Sequence, residues 1–188
     1  MNPFIDSIRN EFLRYKALAQ GAIVQVSDAK LAAHGPDHAN SVVVICWHIA
    51  GNFQSRFTEF LTSDGEKPWR HREEEFADRT VTRAELMAKW ELGWTTVLDA
   101  LNGLTDADLG RTVTIRSQPL FVHEALHRSL AHVAYHVGQI VFIAKALQGP
   151  DWKFLSIPPG KSDEYARNAT MERAADHAKA LGAKDRNQ

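Results

Sequence analysis

Four long stretches of this chain return an apolar residue every third or fourth position, and little else in it is periodic. That repeat suits an amphipathic helix and leaves almost nothing with which to build a sheet. The first stretch runs from about Pro3 to Val26, with Phe4, Ile8, Phe12, Tyr15, Ala19 and Ile23 in register and Pro3 suited to a first helical turn. The second begins after a cap at Asn40 or Ser41 and continues to about Leu61, where TSDGEKP breaks it. The third opens at Thr82 with Glu85 three residues on, a capping box, and carries Leu86, Trp90, Trp94, Val97 and Leu101. The fourth spans about Phe121 to Leu147 and stops at Gly149-Pro150. The expected fold class is therefore all-α: a four-helix bundle over residues 1–150, with residues 151–188 as a C-terminal extension that is part of the same domain or peripheral to it.

The links differ in kind. Between Ser63 and Thr82 lie 18 residues, rich in charge and without periodicity. Extended, such a link covers about 60 Å, roughly twice the length of a 20-residue helix, so it can act as a crossover and let helices two and three run parallel. Within it, His71-Arg72-Glu73-Glu74-Glu75 reads as a solvated charged run. The segment RTVTIRS (111–117) alternates and suits one short extended or hairpin piece.

Composition narrows the partners. Formal net charge is −1, which gives no electrostatic reason to expect nucleic acid or an anionic membrane. We read no apolar run near the ~18 residues needed to span a bilayer, and the acid-bearing amphipathic start does not read as a signal peptide. Cys46, the single cysteine, sits in VVVICW and reads as a buried, inert thiol in a reducing cytoplasm.

The chemistry lies in the histidines. His132 and His136 interrupt LAHVAYHVGQIVFIAKAL four residues apart, on one flank of an apolar stripe centred near Leu126, Val133, Val137, Ile140 and Ala144. At about 40° apart on the wheel they can converge on one point, with Gln139 on the same flank. His123 and His127 project from the opposite flank. On helix two, His48 stands beside the face formed by Val42, Ile49, Phe53, Phe57 and Phe60, in line with Asn52 and Glu59. Three imidazoles on bordering helix flanks suit a divalent transition metal, with positions left open for water. The same spacing also suits surface or core-satisfied rings, and nothing in it proves that His48 faces the pair. His-Glu-x2-His is absent, so a zincin-type protease is unsupported, and PPGKS (158–162) lacks the earlier glycine of a phosphate loop. Trp47, Trp90, Trp94 and Phe53 read as core. Arg56 falls near the core face, where it meets an anion or, as the plainer reading, pairs with Glu59.

WHIAGNFQSRFTEFLTSDGEKPWR (47–70), together with LAHVAYHVGQIVFIAKAL, resembles the DinB-like four-helix-bundle superfamily, in particular a subgroup known mainly as a domain of unknown function. The likeness reaches from the first helix to about Ser162. Carried over residue by residue, it implies metal ligands at His48, His132 and His136, zinc or nickel as the ion, a long crossover between helices two and three, and a homodimer. Branches of the superfamily resemble S-transferases that use a low-molecular-weight thiol. Two functions follow. One is a metal-dependent thiol S-transferase or hydrolase acting on a small molecule, with Asn52, Arg56, Glu59 and Gln139 as the nearest contacts and no catalytic residue assigned. The other is a non-catalytic or stress-associated module in which the metal is structural. The remaining histidines, His34, His38, His71, His123, His127 and His177, match no ligand position and are read as surface or capping residues.

Overall fold

The computed structural model describes residues 2–185; residue 1 and residues 186–188, the end of the 151–188 extension, lie outside it. The chain is helical apart from one short hairpin. Its elements are α1 (Pro3–Ile23), α2 (Val42–Phe57), α3 (Arg72–Glu75), α4 (Arg83–Asn102), β1 (Thr112–Ile115), β2 (Gln118–Phe121), α5 (Val122–Gln148), α6 (Ser162–Ala166) and α7 (Ala174–Asp185). The starts follow local chemistry. Ser41 Oγ accepts the Val44 N–H, and Thr82 and Glu85 form the reciprocal box. Glu124 Oε2 accepts the Phe121 N–H, while Asp106, from a distant turn, accepts the Phe4 and Ile5 N–H groups at the head of α1. Gly149 ends α5 at φ 62°, a conformation that costs glycine little.

The second helix is shorter than its pattern. It closes at Phe57, and Glu59 takes a left-handed φ of 51° while its carbonyl collects the Thr62 and Ser63 N–H groups. The turn thus satisfies itself locally, and Phe60 packs from outside the helix. From there the chain doubles back along α2. Gly65 lies beside Ser55, Glu75 beside Gly51 and His48, and the Arg79 guanidinium over the Trp47 ring. So α4 starts near the start of α2, and the two run in the same direction. They pack closely because Gly93 lets the Ala50 backbone in, with Trp94 edge-on to Phe53 at 5.0 Å. Phe12 of α1 meets Phe53, Phe57 and Trp94 in the same cluster, which is fully or nearly fully buried.

The RTVTIRS segment is one arm of an antiparallel hairpin, Thr112 opposite Phe121 and Ile115 opposite Gln118. Its two-residue turn, Arg116-Ser117, has φ of 55° and 60°, which suits the strand twist but is uncommon without Asn or Gly. Asp64 of the crossover holds it, accepting the Arg116 and Ser117 N–H groups at 2.9 and 2.7 Å. Its hydrogen bonds from backbone N–H groups, first Glu66 and then Ser117, hold the Asp64 carboxyl down at about 2.

The C-terminal residues pack on α1. Leu155 and Leu181 press against Gly21, and His177, expected at the surface or at a cap, is buried with Nε2 donating to the Leu155 carbonyl. Cys46 is fully buried, which pushes its thiol up. One expectation needs correcting. The segment Val122–Asp151 is long and apolar enough to cross a membrane by length and composition, because small and histidine residues interrupt its apolar run without adding formal charge. About a third of its most apolar window, 33%, is buried inside the protein, and α5 packs against α1 and α2.

A Cβ on Gly93 would stand 2.6 Å from Ala50 Cα, which is backbone and cannot swing away. Gly93→Ala is expected to lower the thermal midpoint, the overpacking of about 1–3 kcal/mol outweighing the ~1 kcal/mol of helix propensity gained. A midpoint at or above the parent's in differential scanning calorimetry would refute the close approach.

Candidate metal centre

His48, on the second turn of α2, faces the strip of α5 that carries His132 and His136. The three ring centroids are 4.6–5.1 Å apart, and one donor nitrogen from each ring lies within 4.8 Å of the others. His48 and His136 are buried and His132 is half-buried. Hydrogen bonds fix two tautomers. His48 Nδ1 is 2.9 Å from Glu75 Oε2, and an ionised carboxylate only accepts, so the proton sits on Nδ1. His136 Nδ1 donates to Gln139 Oε1 at 2.8 Å. In its neutral form each ring therefore presents an Nε2 lone pair. Burial first, then the neighbouring His136 and His48 rings and the Arg70 and Arg56 guanidiniums, push His132 down to about 3. Burial also lowers His136, against the Gln139 hydrogen bond. At neutral pH His132 and His136 are uncharged, as a metal donor must be.

The residues fit a cation. His48 Nε2 and His132 Nε2 lie 3.1 Å apart. Two nitrogens bound about 2.0–2.1 Å from one ion, at angles between octahedral and tetrahedral, are about 2.9–3.4 Å apart. Facing lone pairs at that distance repel unless a proton or a cation lies between them.

Behind His48 stands a charged chain that periodicity did not reveal. Glu75, read from sequence as part of a solvated run, is buried, and Arg70 grips it with Nε to Oε1 at 2.8 Å and a terminal nitrogen to Oε2 at 2.9 Å. Burial works to raise the Glu75 carboxyl, but its hydrogen bonds from Arg70 and His48 outweigh that and hold it below the usual range. Phe76, with its ring 4.6 Å from that of His48, shields the imidazole, and Gly51 makes room, since a Cβ there would fall inside the Glu75 carboxyl. The usable sequence signal was this glycine, one turn after His48 on the same face. Trp69 is half exposed and stands outside the site, whereas the Arg70 side chain is only 2% exposed.

The histidines form one wall of a cavity of about 270 Å³. Asn52 and Arg56 line it. Arg56 is paired with Glu66 at 3.1 Å and with the Gly65 carbonyl, where the plainer reading had Glu59. Glu59 is exposed beyond the end of α2 and does not line the cavity, and Gln139 acts through His136. Tyr135 points outward, 66% exposed. His123 and His127 lie on another side of α5, the first against the Leu109 carbonyl and the second edge-on to Phe4.

One family matches residues 1–161, described as a protein of unknown function (DUF1572). This chain belongs to the DUF1572 family. No curated protein and no solved structure matches it. The family carries no assigned activity, so the chemistry has to come from the site.

Two outcomes are expected. Glu75→Gln weakens metal binding about 10–100-fold in a competition titration, because the His48 tautomer loses its carboxylate partner; unchanged affinity would remove Glu75 from the site. Separately, the folded pKa of His132 lies below its ordinary value, so its unfolded form takes up the proton first. The metal-free protein is expected to lose stability as pH falls from 6.5 towards about 3, and His132→Gln to lose it less steeply, as read by urea midpoints.

Proposed function

We propose that this chain is a DinB-like metal protein in which α1, α2, α4 and α5 form a four-helix bundle and His48, His132 and His136 hold one divalent ion, zinc or nickel. The observation that carries the reading is the convergence of three imidazoles on the wall of a cavity rather than in a sealed core. A closed structural zinc site takes four protein donors. Among the described residues no cysteine or carboxylate joins the three rings, and the Glu75 carboxylate is engaged with His48 Nδ1 and Arg70.

When bound, a divalent ion supplies Lewis acidity that lowers the pKa of a thiol or of water. The protein's own residues do the rest. Glu75 and Gln139 fix the ring orientations, Phe57, Phe60 and Phe76 dry one side of the cavity, and Asn52 offers a polar contact there. This supports a metal-dependent S-transferase using a low-molecular-weight thiol, or a hydrolase; the homodimer rests on the resemblance to the DinB-like superfamily alone, and the cytoplasmic setting on the single buried cysteine. A second reading, a purely structural ion, is favoured by the way Arg70, Glu75 and His48 already tie the crossover to α2 and α5.

The test is metal content by mass spectrometry together with turnover. About one equivalent of zinc or nickel is expected in the parent and almost none in His132→Ala, as a three-ligand site that loses one donor binds weakly. The parent should also turn over monobromobimane with at least one of several cellular thiols. Bound metal and a large chelator-induced fall in melting temperature, without turnover or hydrolysis, would select the structural reading. Parent-like metal content in His132→Ala would dismiss the site.

A further inference from the structure

Beyond the histidines, every charged residue that lines the cavity is an arginine. Arg56, Arg70, Arg72, Arg116 and Arg128 line it, Ser129 lies among them, and no Asp or Glu does. Their charges are incompletely met. Arg70 is committed to Glu75. Arg56 and Arg116 converge on the same oxygen, Glu66 Oε2, at 3.1 and 2.8 Å, so one carboxylate serves two guanidiniums. Arg72 pairs with Glu73 where both are well exposed and the pair is weak. Arg128 is exposed and, among the described residues, has no acidic partner. Two positive charges are left over, facing one concavity, before any metal is added.

A second, independent observation points the same way. Ser129 is 7% exposed, its Oγ is sealed from the surface, and it has no hydrogen-bond partner. A buried hydroxyl without a partner is uncommon, and because this residue lines the cavity, rotation about its side-chain bond would let a ligand there supply the missing partner. Ser129 lies one turn before His132 on the strip of α5 that also brings Ala125 and His136 to the cavity. Three residues along a helix is a rise of about 4.5 Å, so an acceptor at Ser129 sits one turn from the imidazole nitrogens. Phe57, Phe60 and Ile115 supply an apolar surface between the arginines.

We propose that this cavity is an anion pocket, and that the molecule handled at the three-histidine centre is a small organic anion whose carboxylate or phosphate is held by Arg128, Arg116 and Ser129. Its body lies on Phe57 and Phe60, and its reactive end reaches the histidines. The pocket stands on the arginines and Ser129; calling its ligand a substrate rests on the metal centre proposed above. Guanidinium pairs suit both carboxylate and phosphate oxygens, so the two sources are separated by experiment.

The experiment is calorimetric titration of the zinc-loaded protein and of chelator-treated protein with succinate, inorganic phosphate and the neutral succinamide. Succinate or phosphate is expected to bind at least tenfold more tightly than succinamide, whichever binds better naming the headgroup. Arg128→Gln, at an exposed position that leaves folding intact, should weaken that binding at least tenfold with zinc content unchanged, and Ser129→Ala several-fold. Equal binding of succinamide, anion binding that disappears with the zinc, or parent-like affinity in both variants overturns the proposal. Anion binding retained in a protein that takes up no zinc keeps the pocket and removes the metal centre, whereas zinc uptake without anion binding does the reverse.

Discussion

A carboxylate buried between a guanidinium and an imidazole organises this protein. Glu75 does this work as the ionised carboxylate, whose charge strengthens the bonds it accepts from Arg70 and His48. Such a buried pair gains little over an apolar substitute, yet removing one partner alone costs about 3–5 kcal/mol. What the arrangement visibly sets is geometry. It draws the crossover onto α2, fixes which nitrogen of His48 faces α5, and requires that residue 51 have no side chain.

The route of the crossover follows from that anchor. A tight hairpin after α2 would send α4 back antiparallel and leave the histidine wall without cover. The doubled-back chain instead brings α4 in beside α2 in the same direction, with Gly93 against Ala50, and places Arg70, Arg72 and Phe76 over the cavity. The hairpin of β1 and β2 completes the rim with Ile115 and Arg116, and Asp64 joins the two segments through the backbone of the turn. Scaffold and site thus share the same few polar contacts.

Much of this was legible in the residues, and the exceptions have physical causes. Helix starts are written in short-range chemistry, so Ser41, Thr82 and Glu85 marked them well. The end of α2 was missed because Phe60 and Leu61 continue the apolar spacing of Phe53 and Phe57 past the point where Glu59 turns left-handed. The histidines declared themselves by breaking an apolar stripe, and the wheel put each set on a flank of its own helix, but that the two flanks meet is visible only in the fold. Glu75 and Arg70 did not, since a buried charge has the same letter as a solvated one. Only a partner across 27 residues of sequence distinguishes Glu75 from Glu73 and Glu74. Arg56 likewise found its carboxylate at Glu66, on the returning chain, rather than one turn along its own helix.

Glu66 has a consequence of its own. Arg56, half-buried, and Arg116, at the exposed lip, share a single oxygen of that side chain. Because one oxygen serves both guanidiniums, neither is fully neutralised, and any movement of the Glu66 side chain changes the field at the lip and in the interior together. The mouth and the depth of the chamber are thereby joined through a single carboxylate.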